Sequence, residues 1–262
     1  MTLYEKLYEA SIAKAQETNV ELIHIGISYT AVKTVDGGSG IAYTFTGDHK
    51  SCTVIKDPVD YEGKSASLLL QKIFSDEIIE RSVALALINA LNYERAGNFR
   101  DDKGTLLDDL GIRAGSRVSM VGYFGPVLKD LKEIGAITDV LDNNRNLGAT
   151  EEFYRNLQSS RDALILTSTS IINRTVEEIL MNLPENIPSV LLGPSTPMLP
   201  EVFHDLPVTI LAGTVPKDIS GVLKAIRHGK GTPVISRSCR KVYARIQGLQ
   251  VKEGGPEGMR HG

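Results

Sequence analysis

The sequence predicts an α/β protein in two parts: an N-terminal α+β unit, then a doubly wound, mainly parallel sheet. Three observations predict it. Arg117-Val118-Ser119-Met120-Val121 is a short apolar run entering Gly122-Tyr123-Phe124-Gly125-Pro126, and Val127, Leu128 and Leu131 then recur at helical spacing. That is a buried strand, a tight glycine loop and a helix whose first turn accepts proline because its fixed φ is helical. From Arg117 onward, strands and helices alternate with short loops, which requires parallel crossovers. Before residue 95 the order is instead helix, strands, helices, with an antiparallel meander.

Leu3, Leu7, Ala10, Ile12 and Ala13 share roughly one face of a first helix, ended by Thr18-Asn19. Val20 to Ile27 reads as a strand. Val32 to Phe45 reads as a hairpin around Asp36-Gly37-Gly38. His49 to Asp60 is irregular. Two helices follow, Ser65 to Phe74 and Asp76 to about Tyr93, with Ser75 as the expected N-cap of the second. That second helix is apolar nearly all round and should be buried. Residues 1–95 thus form the first domain, and the Gly-, Asp- and Arg-rich passage 96–116 reads as a connection.

In the second domain, 117–250, the expected strands are Val118–Val121, Ile137–Leu141, Ala163–Thr167, Ser189–Leu192 and Val208–Leu211. Helical segments lie at Pro126–Glu133, Thr150–Leu157, Thr175–Met181, Pro200–Phe203 and Pro216–Arg227, and Lys241 to Gln247 alternates like a closing edge strand. The tail 251–262, with Gly254-Gly255-Pro256, is expected to be disordered.

Composition narrows the function classes. The 262 residues are 42% hydrophobic and 23% charged, with formal charge −3, which offers no electrostatic attraction for nucleic acid or an anionic membrane. Two cysteines, Cys52 and Cys239, are too few for a disulfide framework or a four-thiolate zinc site. No apolar run approaches the roughly 20 residues that span a bilayer, and the start Met1-Thr2-Leu3-Tyr4-Glu5-Lys6 lacks a signal-peptide pattern. The expectation is a cytoplasmic protein whose partners are a small molecule or a metal ligand, with neither nucleic acid nor membrane, and with further copies of the chain allowed.

In open α/β sheets, ligands sit beyond the carboxyl ends of the strands. There this chain places Gly122-Tyr123-Phe124-Gly125-Pro126, Thr167-Ser168-Thr169, Gly193-Pro194-Ser195-Thr196 and Ala212-Gly213-Thr214. Glycine admits close backbone approach, and hydroxyls and helix-start N–H groups recognise polar ligands. Turns need such residues anyway, but four converging loops point to a site. Asn173 either caps the following helix or faces the cleft. Asn89, on the buried helix, either bonds local backbone or lines an interdomain cleft. Tyr29, Thr30, Tyr43 and Thr44 are hairpin positions able to face that cleft.

Other chemistry is sparse. The dinucleotide fingerprint G-x-G-x-x-G is absent, and Pro126 replaces an N–H donor to pyrophosphate. Asp142 ends the next strand, where a ribose-binding acid would stand, although a solvated turn explains it equally well. His49-x-x-Cys52 has ligand-like spacing in a loop, but two ligands need a third donor such as Asp48. Ser168 and Ser195 lack a G-x-S-x-G context.

Gly26-Ile27-Ser28-Tyr29-Thr30-Ala31-Val32, Arg81 to Leu91, Val121 to Pro126 and Leu192-Gly193-Pro194-Ser195-Thr196-Pro197 together resemble a prokaryotic family described as putative heavy-metal chelation proteins. The resemblance covers about residues 1 to 250. It implies an enolase N-terminal-like domain followed by a Rossmann-like domain, with a site in the cleft between them. That site would hold Asn89, the Gly122–Pro126 loop, Ser168, Thr169, Asn173 and the Gly193–Thr196 loop. With soft ligands scarce, hard oxygen donors or a metal carried inside an organic ligand suit the chain best. The expected function is binding of a small molecule, a metal ion or a metal complex. The rival is a transferase or lyase using an adenosyl or nucleotide cofactor, with Asp142 as ribose acceptor.

Overall fold

The computed structural model describes residues 1–45, 55–159 and 161–246. The predicted metal candidates His49 and Cys52, and the tail 251–262, lie outside the described residues.

The chain opens with α1 (Leu3–Glu17), closed at its start by a reciprocal capping box in which the Thr2 hydroxyl accepts from Glu5 N and the Glu5 carboxylate accepts from Thr2 N. Strands β1 (Val20–Ile25), β2 (Tyr29–Thr34) and β3 (Ser39–Tyr43) form a three-stranded antiparallel sheet in chain order. Helix α2 (Ala66–Leu70) continues as a short 3-10 turn, and α3 (Ile78–Leu91) and α4 (Tyr93–Gly97) follow. Asn92 therefore interrupts the single helix that was expected to reach Tyr93. Ser75 is not its N-cap: Glu77 occupies that position, and the Ser75 hydroxyl instead accepts from Glu77 N and donates to the Glu80 carboxylate at 2.6 Å.

Within the expected connection, β4 (Arg100–Asp101) and α5 (Leu106–Asp109) form. The second half continues with β5 (Arg117–Val121), α6 (Gly125–Ile134), β6 (Ile137–Leu141), α7 (Thr150–Gln158), β7 (Ala163–Thr167), α8 (Thr169–Ile172), α9 (Val176–Met181) and β8 (Ser189–Leu192). Then come β9 (Ile210–Pro216), α10 (Ile219–Arg227), α11 (Thr232–Ile235) and β10 (Cys239–Arg245). The larger sheet has the order β4-β10-β9-β8-β7-β5-β6. Its strands β6, β5, β7, β8 and β9 are parallel, while β10 is antiparallel to β9 and β4 to β10. In chain order the parallel strands run 2-1-3-4-5, so the winding reverses between β5 and β7.

Several expectations in the second half shift. The strand expected over Val208–Leu211 runs Ile210–Pro216, because β10 gives it a partner from Ile210↔Arg245 to Pro216↔Cys239. Gly213 and Thr214, expected in a loop, are consequently paired strand residues, and the next helix starts at Ile219, capped by Asp218. The expected closing edge strand is not at the edge, since β4 covers it. Pro200–Val202 is a 3-10 turn.

Burial explains the patterns. On the small sheet, Val32 and Ala42 join a core shared with α1, α3 and the α7–α9 face of the large sheet. Tyr29, Ala31 and Ile41 point the other way, onto Val222, Ala225 and Ile226 of α10. Helix α3 is apolar nearly all round because protein surrounds it, and the polar side chains it does bury, Glu80, Arg81 and Ser82, are hydrogen-bonded. Gly40 lets β3 approach it: a Cβ there would collide with the Ala86 carbonyl oxygen and the Ala90 nitrogen. The opposite face of the large sheet is covered by α5 and α6 through Leu106, Leu107 and Leu131 on Val118, Met120 and Ile165.

Candidate functional site

Two cavities open at the carboxyl ends of the parallel strands, one on each face of the sheet. The first, about 290 Å³, lies where β6, β5 and β7 end, at the reversal of winding. Gly122, Asp142, Thr167, Thr169 and Asn173 line it with Asn143, Asn144, Thr150, Tyr154, Thr175, Glu178 and Phe45. Gly122 has φ +88° there, and an added Cβ would stand 2.9 Å from Thr167 Cβ, so only glycine allows this turn beside β7. Thr167 and Thr169 hydroxyls share a hydrogen bond of 3.0 Å. Asn173 Oδ1 accepts from Thr175 N at 3.2 Å and from the Thr175 hydroxyl at 2.8 Å, a local turn that commits only one end of its amide. Asp142 Oδ1 accepts from Arg145 N at 3.1 Å. Arg145 in turn stacks over the exposed ring of Tyr123, 4.7 Å from its centroid. Burial, with the Glu178 carboxylate beside it, pushes the Tyr154 phenol up to about 12, so it stays a neutral hydroxyl.

The second cavity, about 230 Å³, lies on the α6 face. Tyr29 from the small sheet, Phe124, Pro126, Gly193, Pro194, Gly213 and Thr214 reach it, with Val127, Leu192, Ile235, Cys239 and Val242 supplying apolar wall. Tyr29 and Thr232 share a hydroxyl hydrogen bond of 2.6 Å at its margin. Burial pushes the Tyr29 phenol above its ordinary range and the Cys239 thiol up to about 12, so both are protonated at neutral pH.

Other predicted site residues line neither cavity and are packed at the seam between the small sheet and the strand ends. Ser195 Oγ accepts from Tyr43 N at 2.8 Å. Asn89 Nδ2 donates to Ile41 O at 2.9 Å and Pro194 O at 3.4 Å. Thr196 donates to Ala212 O at 3.1 Å, and Thr30 pairs with Thr44 at 2.9 Å. Ser168 is buried at the start of α8, and a Cβ on Gly193 would sit 2.8 Å from its hydroxyl. Gly125 begins α6. The sequence reading missed Tyr154, Thr150, Asn143, Asn144 and Glu178. Asn143-Asn144 directly after Asp142 was the one local signal; the α7 and α9 residues reach the cavity only through packing.

Among the described residues, no group of three or more His, Cys, Asp or Glu side chains is placed to hold a metal ion, and no helix is long and apolar enough to cross a membrane.

Two family models match. Residues 105–245 match DUF364 and residues 8–92 match DUF4213, each described as putative heavy-metal chelation. The chain is 23% identical over 184 residues to the uncharacterized protein MJ0500 of Methanocaldococcus jannaschii, covering 66% of this chain and 69% of that one. In fold it is similar to the crystal structure of a DUF364 protein of unknown function from Pyrococcus horikoshii, with TM-score 0.77, 21% identity, and coverage of 94% of this chain and 100% of that one. A second DUF364 structure, of a protein of unknown function from Desulfitobacterium hafniense, gives TM-score 0.75 at 17% identity, covering 92% and 97%.

Proposed function

The chain belongs to the DUF364 family, described as putative heavy-metal chelation, and from that premise we propose that it binds a polar small molecule, or a metal carried within one. The site is the cavity where β5, β6 and β7 end. The observation that carries the reading is the chemistry of its wall at the winding reversal. Carboxylate, amide and hydroxyl groups of Asp142, Asn143, Thr167, Thr169 and Asn173 meet there. Such hard oxygen donors and amide N–H groups suit hydroxyls, carboxylates and oxygen-bound metal rather than a bare soft ion. The Cys239 thiol lines the other cavity and is held protonated, so it offers this site no thiolate.

Native mass spectrometry of the full chain, purified without chelators and then incubated with ferric citrate or ferric chloride, tests the reading. Retention of the citrate complex in preference to the simple salt, lost in Asn173→Ala and Thr169→Val, is the expected result. Equal binding of both probes by wild type and variants, or no binding at all, overturns it.

A second reading is favoured by the position of Asp142, which lines the same cavity at the end of β6 with Gly122 at the neighbouring strand end. One carboxylate oxygen caps the following 3-10 turn, and the other stands 3.9 Å from Arg145 Nε, an ion pair that a ribose diol would have to share. This supports a transferase or lyase with an adenosyl or nucleotide cofactor. Protection from thermal unfolding by S-adenosylmethionine or ATP, abolished in Asp142→Ala, is its expected signature.

A further inference from the structure

We propose that the second cavity, on the α6 face, is a separate binding site for a small, uncharged aromatic molecule of one or two rings. Its position argues against a packing fault. It sits beyond the ends of the parallel strands β5 and β8 and against β9, where this class of sheet places ligands. Tyr29 of the small sheet closes it from the other half of the chain.

Size and chemistry define the occupant. A dry apolar cavity of about 150 Å³ suffices for benzene, and this one has about 230 Å³. Phe124, Pro126, Val127, Leu192 and Val242 offer ring faces and aliphatic edges, which suit a flat apolar body. At the margin, the Tyr29 and Thr232 hydroxyls share one hydrogen bond of 2.6 Å. Two hydroxyls in one bond leave acceptor lone pairs and one donor for a ring N–H or O–H. Of the four titratable groups in the wall, Tyr29 and Cys239 are neutral, while the half-buried Asp102 and the exposed Lys241 are of opposite sign, so the wall offers a charged ligand no net counter-charge for the water it would lose there. An uncharged ring bearing one polar edge fits this wall.

The absence of tryptophan from the sequence makes the test direct. Indole, excited at the red edge where tyrosine does not absorb, is titrated against the full chain. The expected result is a saturable blue shift with one indole per chain, and nuclear Overhauser contacts from indole to Val127 and Val242 methyls. Val127→Phe, which fills the cavity from the half-buried face of α6, should weaken binding by about tenfold or more. Asn173→Ala, in the polar cavity, should leave it unchanged. An unsaturable shift, contacts to other residues, or binding that a folded Val127→Phe leaves intact would overturn the proposal. If that variant does not fold, the wild-type contacts alone decide. Because the polar cavity is probed with ferric citrate and this one with indole, either site can fail without the other.

Discussion

The backbone N–H of Tyr43 donates to the Ser195 hydroxyl at 2.8 Å, joining residues 152 positions apart. Tyr43 ends β3, and Ser195 follows β8, so this bond, with Asn89 bridging Ile41 O and Pro194 O, stitches the small sheet to the large one. Ser195→Ala should strand the Tyr43 N–H and cost about 1–3 kcal/mol, read as a lower urea midpoint. Asn89→Ala shares that seam, and the double variant should lose less than the summed single losses. Strict additivity would show that the two bonds act separately.

Gly40→Ala is expected to be among the most damaging conservative changes. Its Cβ would press on backbone atoms of Ala86 and Ala90, which cannot swing away as a side chain can. Overpacking of this kind costs about 1–3 kcal/mol or more. Gly37→Ala, with nothing near its Cβ but a φ of +94°, should cost about 1–2 kcal/mol through backbone conformation alone. Thermal melts of the two variants would separate the effects, and equal losses would contradict the close approach.

Arg81 is buried on α3 and pairs with carbonyl oxygens rather than a carboxylate: Nε with Ile172 O and a terminal nitrogen with Ser75 O, both at 2.6 Å. Hydrogen bonds to charged groups contribute about 1.5–3 kcal/mol. Arg81→Met should therefore destabilise strongly, and Arg81→Lys should not restore stability, because one ammonium lacks the fork that reaches both carbonyls. Full rescue by lysine would refute that geometry.

Asp57 supplies a pH signature. Hydrogen bonds from Lys72, Tyr61 and Val59 N hold its carboxyl down to about 2, against an ordinary 3.8. Its stabilising contribution is complete above the ordinary value and is lost as pH falls through that interval. Lys72, held above its own ordinary range first by Asp57, stays charged throughout. Urea midpoints followed from neutral pH downward should fall less steeply in Asp57→Asn. Identical acid limbs would exclude the pair as a source of pH dependence.

Ser119 Oγ lies buried on β5 with no hydrogen-bond partner among the described residues. Ser119→Ala removes an unsatisfied hydroxyl at little cost in volume and should raise stability by about 1 kcal/mol. A loss on calorimetry would reveal an unseen partner.

The sequence by itself determined the strand and helix alternation after Arg117, the antiparallel unit before it, the buried α3 and the loops that meet at the sheet's carboxyl edge. Each is written in local periodicity and turn chemistry, which neighbouring residues carry together. Tertiary structure decided how the polar residues are spent. Ser195 reads as a ligand contact and Asn89 as either a backbone partner or a cleft residue, and packing decides both: Ser195 Oγ accepts from Tyr43 N, and the Asn89 amide N–H donates to Ile41 O and Pro194 O. Gly213 and Thr214 read as a loop until β10, more than twenty positions further on, supplies a strand partner. One expected cleft became two cavities because α6 leaves β5 toward one face while α7, α8 and α9 pack on the other. Burial and pairing of groups distant in the chain are properties of the packed state, and no short-range pattern encodes them.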